Sequence, residues 1–190
     1  MRLLYHYLFP ALWIAFMVYW RIVAGGTKAT RRLEPASMRA VRVVLFAVAI
    51  FILVIEPLPF AWLYRPLYPY RLIYYWGGAF VTVAGLLFAV WARRQLGANW
   101  SRSVTLKEDH QLITGGPYRI VRHPIYTGIL TGFLGTLIAV GQVRGVVAFL
   151  LVAIALRFKW RLEEKWMREE FGETYIDYSR RVPAVIPWRL

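Results

Sequence analysis

Residues 73–92 run for about twenty positions without a charge, between Arg71 and the pair Arg93-Arg94. No other feature restricts the fold as much. An α-helix rises about 1.5 Å per residue, so twenty residues cover the roughly 30 Å hydrocarbon core of a bilayer. Backbone in that medium must satisfy its own hydrogen bonds, which a helix does and an irregular segment does not. The rest of the chain repeats the theme. Of its 190 residues 59% are hydrophobic and 17% aromatic, and the mean hydropathy is +0.46. That is too apolar for a soluble domain with a charged surface. The expected class is all-α, a polytopic membrane protein.

Apolar runs fall at about 3–23, 43–63, 73–92, 125–140 and 145–160. Pro10 is expected to kink the first, and no small-residue cleavage site precedes Arg21, so that run reads as a retained transmembrane helix and not a signal peptide. Glu56, Pro57 and Pro59 break the far end of the second. The last two runs are short and are joined by Gly141-Gln142-Val143-Arg144, which predicts a tilted helical hairpin whose second arm continues as a charged helix. Gly128, Gly132 and Gly135 would let its first arm approach a neighbour closely. Five spans are therefore expected, with a division into 1–92 (three transmembrane helices) and 93–190 (loop, hairpin and amphipathic C-terminal segment).

Orientation follows from the cations. Lys28, Arg31, Arg32, Arg39 and Arg42 face one acid, Glu34, between the first two runs, and Arg93, Arg94, Arg102, Lys107, Arg119 and Arg122 crowd the stretch after the third. By the positive-inside rule both segments are cytoplasmic, which puts the N-terminus outside and the C-terminus inside, in the inner (plasma) membrane. The same rule accounts for the net charge of +14 without a nucleic-acid partner. The absence of cysteine excludes disulfides and thiolate catalysis, and His6, His110 and His123 are too scattered to suggest a metal site.

With that topology His110, Tyr118, Arg122, His123, Tyr126, Lys159, Glu163 and Glu164 gather near one cytoplasmic interface. Taken singly, cations at helix ends snorkel to head groups and tyrosines belong to the aromatic belt. Taken together, Tyr118, Arg122, His123, Pro124 and Tyr126 crowd the mouth of the hairpin while acids close its other arm. Lys159 and Glu163 share a helix face, as do Arg157 and Arg161. Glu163 and Glu164 diverge by about 100°, so one can face a pocket while the other makes a salt bridge. A carboxylate beside tyrosine faces suits a cationic ligand.

The segment His110-Gln111-Leu112-Ile113-Thr114-Gly115-Gly116-Pro117-Tyr118 and the motif Arg122-His123-Pro124-Ile125-Tyr126 lie in the order and spacing of a known family. With Glu163-Glu164, Phe171-Gly172-Glu173-Thr174-Tyr175-Ile176-Asp177-Tyr178 and Arg181-Val182-Pro183, they resemble the isoprenylcysteine carboxyl methyltransferases, integral membrane enzymes related to phospholipid methyltransferases. The resemblance covers residues 96–188. It implies S-adenosyl-L-methionine as cofactor, lined by His110, Gln111, Leu112, Ile113, Tyr118, His123, Pro124, Ile125, Tyr126 and Glu163. It also implies a lipophilic or prenylated acceptor entering from the membrane lipids. Arg122, His123 and Glu163 are the expected catalytic group, and Lys159, Arg157 and Arg161 the expected acceptor-binding cations, with no metal. Lys159 stands where the family usually has Arg, and Ser103 where it often has Gln. Phospholipid N-methylation, a nicotinamide-dependent membrane reductase and a non-enzymatic membrane scaffold stand as alternative readings.

Overall fold

The computed structural model describes residues 2–23, 30–55, 59–97, 105–107 and 112–187. Within them the chain forms helices α1 (Arg2–Ile22), α2 (Ala36–Val54), α3 (Leu72–Leu96), α4 (Pro124–Val140) and α5 (Val143–Arg181), with two short strands, β1 (Thr30–Leu33) and β2 (Thr105–Lys107). Two of the helices, α2 and α3, are long and apolar enough to cross a membrane, while the apolar stretches Tyr7–Ile22 and Pro124–Val140 are shorter. α2 turns large apolar side chains outward, among them Val43, Val44, Val48, Phe51 and Val54. An aqueous surface would penalise that face and a lipid one would not.

α2 begins before the expected second span and ends at Val54. Pro35 fixes its entry, and Arg39 and Arg42, expected in a loop, lie on its first two turns. The strands are a second departure from an all-helical reading. β1 and β2 pair antiparallel, with Leu33 opposite Thr105 and Thr30 opposite Lys107. This short ribbon ties the segment after α1 to the segment after α3.

α3 and α4 form the tightest contact, through small residues at helical spacing. Gly78, Thr82, Gly85, Ala89 and Ala92 are buried on one face of α3, and Gly128, Gly132, Gly135 and Ala139 on the facing side of α4. A methyl group added at Gly85 would sit 2.6 Å from the Gly128 carbonyl, and one at Gly128 would sit 2.5 Å from the Gly85 carbonyl. With Gly78 meeting Gly135, the pairing runs antiparallel. The glycine series thus packs within the chain, and Thr82 Oγ1 donates across it to the Gly132 carbonyl at 3.1 Å. α1 closes over α4, where the Trp13 ring lies 4.5 Å from Phe133 and its Nε1 donates to Thr136 Oγ1 at 3.1 Å.

The two ends of the bundle are distinct. At one, Leu67 donates to the Gly141 carbonyl and Val143 to the Arg65 carbonyl, joining the α2–α3 connection to the hairpin turn. At the other lie the ribbon, the 112–123 segment and the end of α5. α5 begins in the hairpin and, through 143–171, extends about 43 Å at 1.5 Å per residue, beyond the hydrocarbon thickness. Gly172, at φ 49°, then breaks it in a conformation that disfavours any side chain, and the remaining turns run to Arg181.

Candidate functional site

The site starts from a turn. Gly116–Arg119 form one 3₁₀ turn, after which Val121 is fully buried and Arg122 and His123 lead into α4, with Pro124 at the first helical position. Proline suits that position because its missing N–H would have had no helical partner. The backbone N–H groups of Arg122 and His123 instead donate to the carbonyls of Pro183 and Ala184, at 2.8 and 2.9 Å. Thr127 Oγ1 donates to the Val185 carbonyl at 2.6 Å. The C-terminal segment therefore lies across the hairpin mouth, held further by Tyr178 Oη donating to the Tyr118 carbonyl at 2.6 Å.

The two adjacent glutamates of α5 divide their work. Glu164 accepts from Arg122 Nε at 2.9 Å and from its Nη2 at 2.5 Å, and the remaining Arg122 nitrogen donates to the carbonyls of Ser179 and Val182. The guanidinium is thereby spent on joining α4, α5 and the tail. Glu163 accepts the Tyr126 hydroxyl at 2.5 Å. His123 lies between the acids, Nε2 3.2 Å from Glu164 and Nδ1 3.6 Å from Glu163. Its ring stacks on Tyr126 at 5.4 Å and faces Trp160 at 6.5 Å. Lys159 places its ammonium 5.2 Å from the centre of the Tyr126 ring, one turn before Glu163.

These neighbours set the charge states. Burial opposes protonation of His123, but hydrogen bonding to Glu163 and Glu164 outweighs it and raises the imidazole above its ordinary value. Burial likewise opposes ionisation of Glu163, yet His123 and Lys159 bring it below the usual carboxylate range. Glu164 is penalised by burial too, and His123 and Arg122 still lower it to about 2. Desolvation, with the nearby Glu163 charge, pushes the Tyr118 phenol well above its usual value. The cluster thus sets an imidazole whose two ring nitrogens face carboxylates that favour its protonated form beside a neutral tyrosine hydroxyl as donor.

Of the residues expected from sequence, Tyr118, Arg122, His123, Pro124, Ile125, Tyr126, Lys159 and Glu163 come together here. Leu112 and Ile113 are half-buried, and Ile113 packs on the core cluster that contains Tyr118 and Tyr126. His110, Gln111 and Ser103 lie outside the described residues. Arg157 and Arg161 are exposed on α5, Arg161 lining a shallow cavity with Glu164, Lys165, Arg168 and Glu169. One pair escaped the sequence reading. Glu34, just before α2, takes a bidentate ion pair from Arg42, at 2.5 and 2.6 Å, with its own side chain fully buried. The available signal was a lone acid in an otherwise basic segment. Among the described residues no three His, Cys, Asp or Glu could hold a metal ion together.

Residues 73–174, just over half of the chain, match the family described as phospholipid methyltransferase. Over 89 residues, 43% of this chain and 42% of the relative, it is 34% identical to protein-S-isoprenylcysteine O-methyltransferase B of Arabidopsis thaliana. Over 97 residues, 49% of this chain and 41% of the relative, it is 37% identical to protein-S-isoprenylcysteine O-methyltransferase of Schizosaccharomyces pombe. A stretch of 83 residues, 43% of this chain and 38% of the relative, is 37% identical to the cobalt-zinc-cadmium resistance protein CzcN of Cupriavidus metallidurans. The matches span less than half the length of each of these relatives.

Proposed function

The chain belongs to the phospholipid methyltransferase family, and from that premise we propose that it is an S-adenosylmethionine-dependent methyltransferase. Its reaction is carboxyl O-methylation of a lipophilic, isoprenylcysteine-like acceptor. One observation carries the reading: a buried carboxylate, Glu163, held by Tyr126 and His123 beside the faces of Tyr126 and Trp160 at the mouth of an apolar hairpin. An anion among aromatic faces fits a sulfonium and an ammonium group, both carried by S-adenosylmethionine. Two relatives named isoprenylcysteine O-methyltransferases support the acceptor class.

When bound, the cofactor supplies a methyl group on a sulfonium, which a carboxylate oxygen accepts in line without giving up a proton. The protein's task is then to hold, align and exclude water. Glu163, Tyr118 and Tyr126 hold the cofactor, together with His110, Gln111, Leu112, Ile113, Pro124 and Ile125. Lys159 faces the acceptor's anion. Arg122 fixes the geometry, since its guanidinium is bound to Glu164 and to two carbonyls of the last turn and tail.

His123 separates carboxyl from amine chemistry. Methylation of a lipid amine needs a base to take its proton, and His123 is the first candidate. Both of its ring nitrogens face carboxylates, which favour the protonated form over the free base that such a step needs. This favours the carboxyl acceptor over phospholipid N-methylation. The proposed placement is five spans with the N-terminus outside and the site on the cytoplasmic face of the plasma membrane. The loops sorted to two ends of the bundle support it. Residues 93–190 would form the catalytic half beside three N-terminal helices.

Calorimetry on the purified protein tests the cofactor reading. We expect S-adenosylmethionine to bind, and Glu163→Ala and Tyr126→Ala each to weaken binding about tenfold or more, as loss of a charge-assisted contact does. No binding by the intact protein, or unchanged affinity in both variants, would overturn it.

A further inference from the structure

The buried Glu34–Arg42 pair belongs to the part of the chain outside the family match, yet it faces the site. α2 packs along α5. Phe46, Ala49 and Leu53 of α2 join the core cluster that holds Val152 and Leu156 of α5. Those α2 residues continue a helical face that begins at Arg42, at spacings of four, seven and eleven, and the α5 residues continue one that ends at Lys159 and Glu163. Accordingly the charged form of Arg42, favoured first by Glu34, is also favoured by Glu163, and Glu34 and Arg42 both act on Lys159.

We propose that Arg42, aimed by Glu34, is a specificity-determining residue that binds the acceptor's carboxylate together with Lys159. The inference rests on the carboxyl methyltransferase reading above and names the residue that recognises the group to be methylated. Glu34 engages the two terminal nitrogens of the guanidinium. Its Nε–H makes no hydrogen bond among the described residues, so one edge of the fork is left for a second carboxylate. Lys159 supplies a compact point charge, whereas Arg42 supplies a planar donor pair of fixed direction. Burial makes a paired, directed cation matter, because an uncompensated charge in a dry site is costly. Glu34 has no exposed side-chain surface and the Arg42 side chain has 11%.

The test compares an S-prenylated N-acetylcysteine with its neutral carboxamide as competing ligands, with S-adenosylmethionine affinity measured on the same samples. Removing one partner of a buried pair strands the other, so the main variant is the double change Glu34→Met with Arg42→Met, which fold stability tolerates better. Intact protein should prefer the carboxylate. The double variant should lose about tenfold of that preference, while carboxamide binding and cofactor affinity stay within about twofold, since only a charged hydrogen-bonding partner has gone. Arg42→Lys, which keeps charge and loses the fork, should fall between the two. A double variant with full carboxylate preference, or equal losses for both ligands, overturns the inference and leaves a purely structural tie. If the intact protein binds neither the prenylated ligands nor S-adenosylmethionine, the parent reading fails and this one with it.

Discussion

Glu163 and Glu164 are neighbours in sequence, yet one is tied into the hairpin mouth by Arg122 while the other faces Tyr126 and Lys159. The 100° step of a helix makes that division, and His123 between them makes it pH-dependent. Because the folded-state pKa of His123 is raised, its contribution to stability is fully present below about pH 6.5 and is lost as pH rises through the raised value. The melting temperature of the detergent-solubilised protein should therefore decline as pH rises through that raised value, and His123→Asn should flatten the decline; an identical pH profile in that variant would contradict the assignment. Glu164 has the opposite sign. Lowered from 4.5 to about 2, it stabilises the fold above about pH 4.5 and loses that contribution as pH falls through about 2. At neutral pH Glu164→Gln leaves Arg122 buried without its ion partner, and denaturation should show a loss on the order of 3 kcal/mol.

Helix contacts carry the next set of consequences. Gly85 and Gly77 lie on the same helix, but the backbone of α4 presses only on Gly85, and nothing lies within 4 Å of a Cβ added at Gly77. Gly85→Leu should therefore destabilise the protein by about 3 kcal/mol or more, through overpacking that the α4 backbone cannot relieve. Gly77→Ala should stabilise by up to about 1 kcal/mol through helix propensity. Equal melting temperatures for the two variants would refute the α3–α4 packing described above. At the end of α5, Tyr178→Phe removes the hydroxyl that satisfies the Tyr118 carbonyl. It should cost about 1 kcal/mol and loosen the tail over the hairpin mouth, visible as faster amide exchange at Arg122 and His123.

Across the whole molecule, the legible parts are those governed by local rules. The apolar runs predicted α1, α4 and the start of α3 to within a residue, because uninterrupted apolar sequence leaves little freedom, whereas α3 continues to Leu96 and takes Arg93 and Arg94, expected in the loop, into its last turn. The early start of α2 was hidden by its own cations, since Arg39 and Arg42 look like loop charges until Pro35 is recognised as the helix entry. The pairing of β1 with β2 joins segments more than seventy residues apart, and the Glu34–Arg42 pair gains meaning only beside α5. No periodicity encodes either. The hairpin-mouth cluster was readable because its residues sit in short motifs, while the glycine series revealed a close contact without naming α3 as the partner. The proposed reaction is methyl transfer to a carboxylate at a membrane surface. Membranes containing the protein, given S-adenosylmethionine labelled in its methyl group and an S-prenylated N-acetylcysteine, should form a labelled lipophilic product that releases volatile labelled methanol on base treatment. Label that resists base and stays with a lipid amine, or no transfer at all, would contradict it.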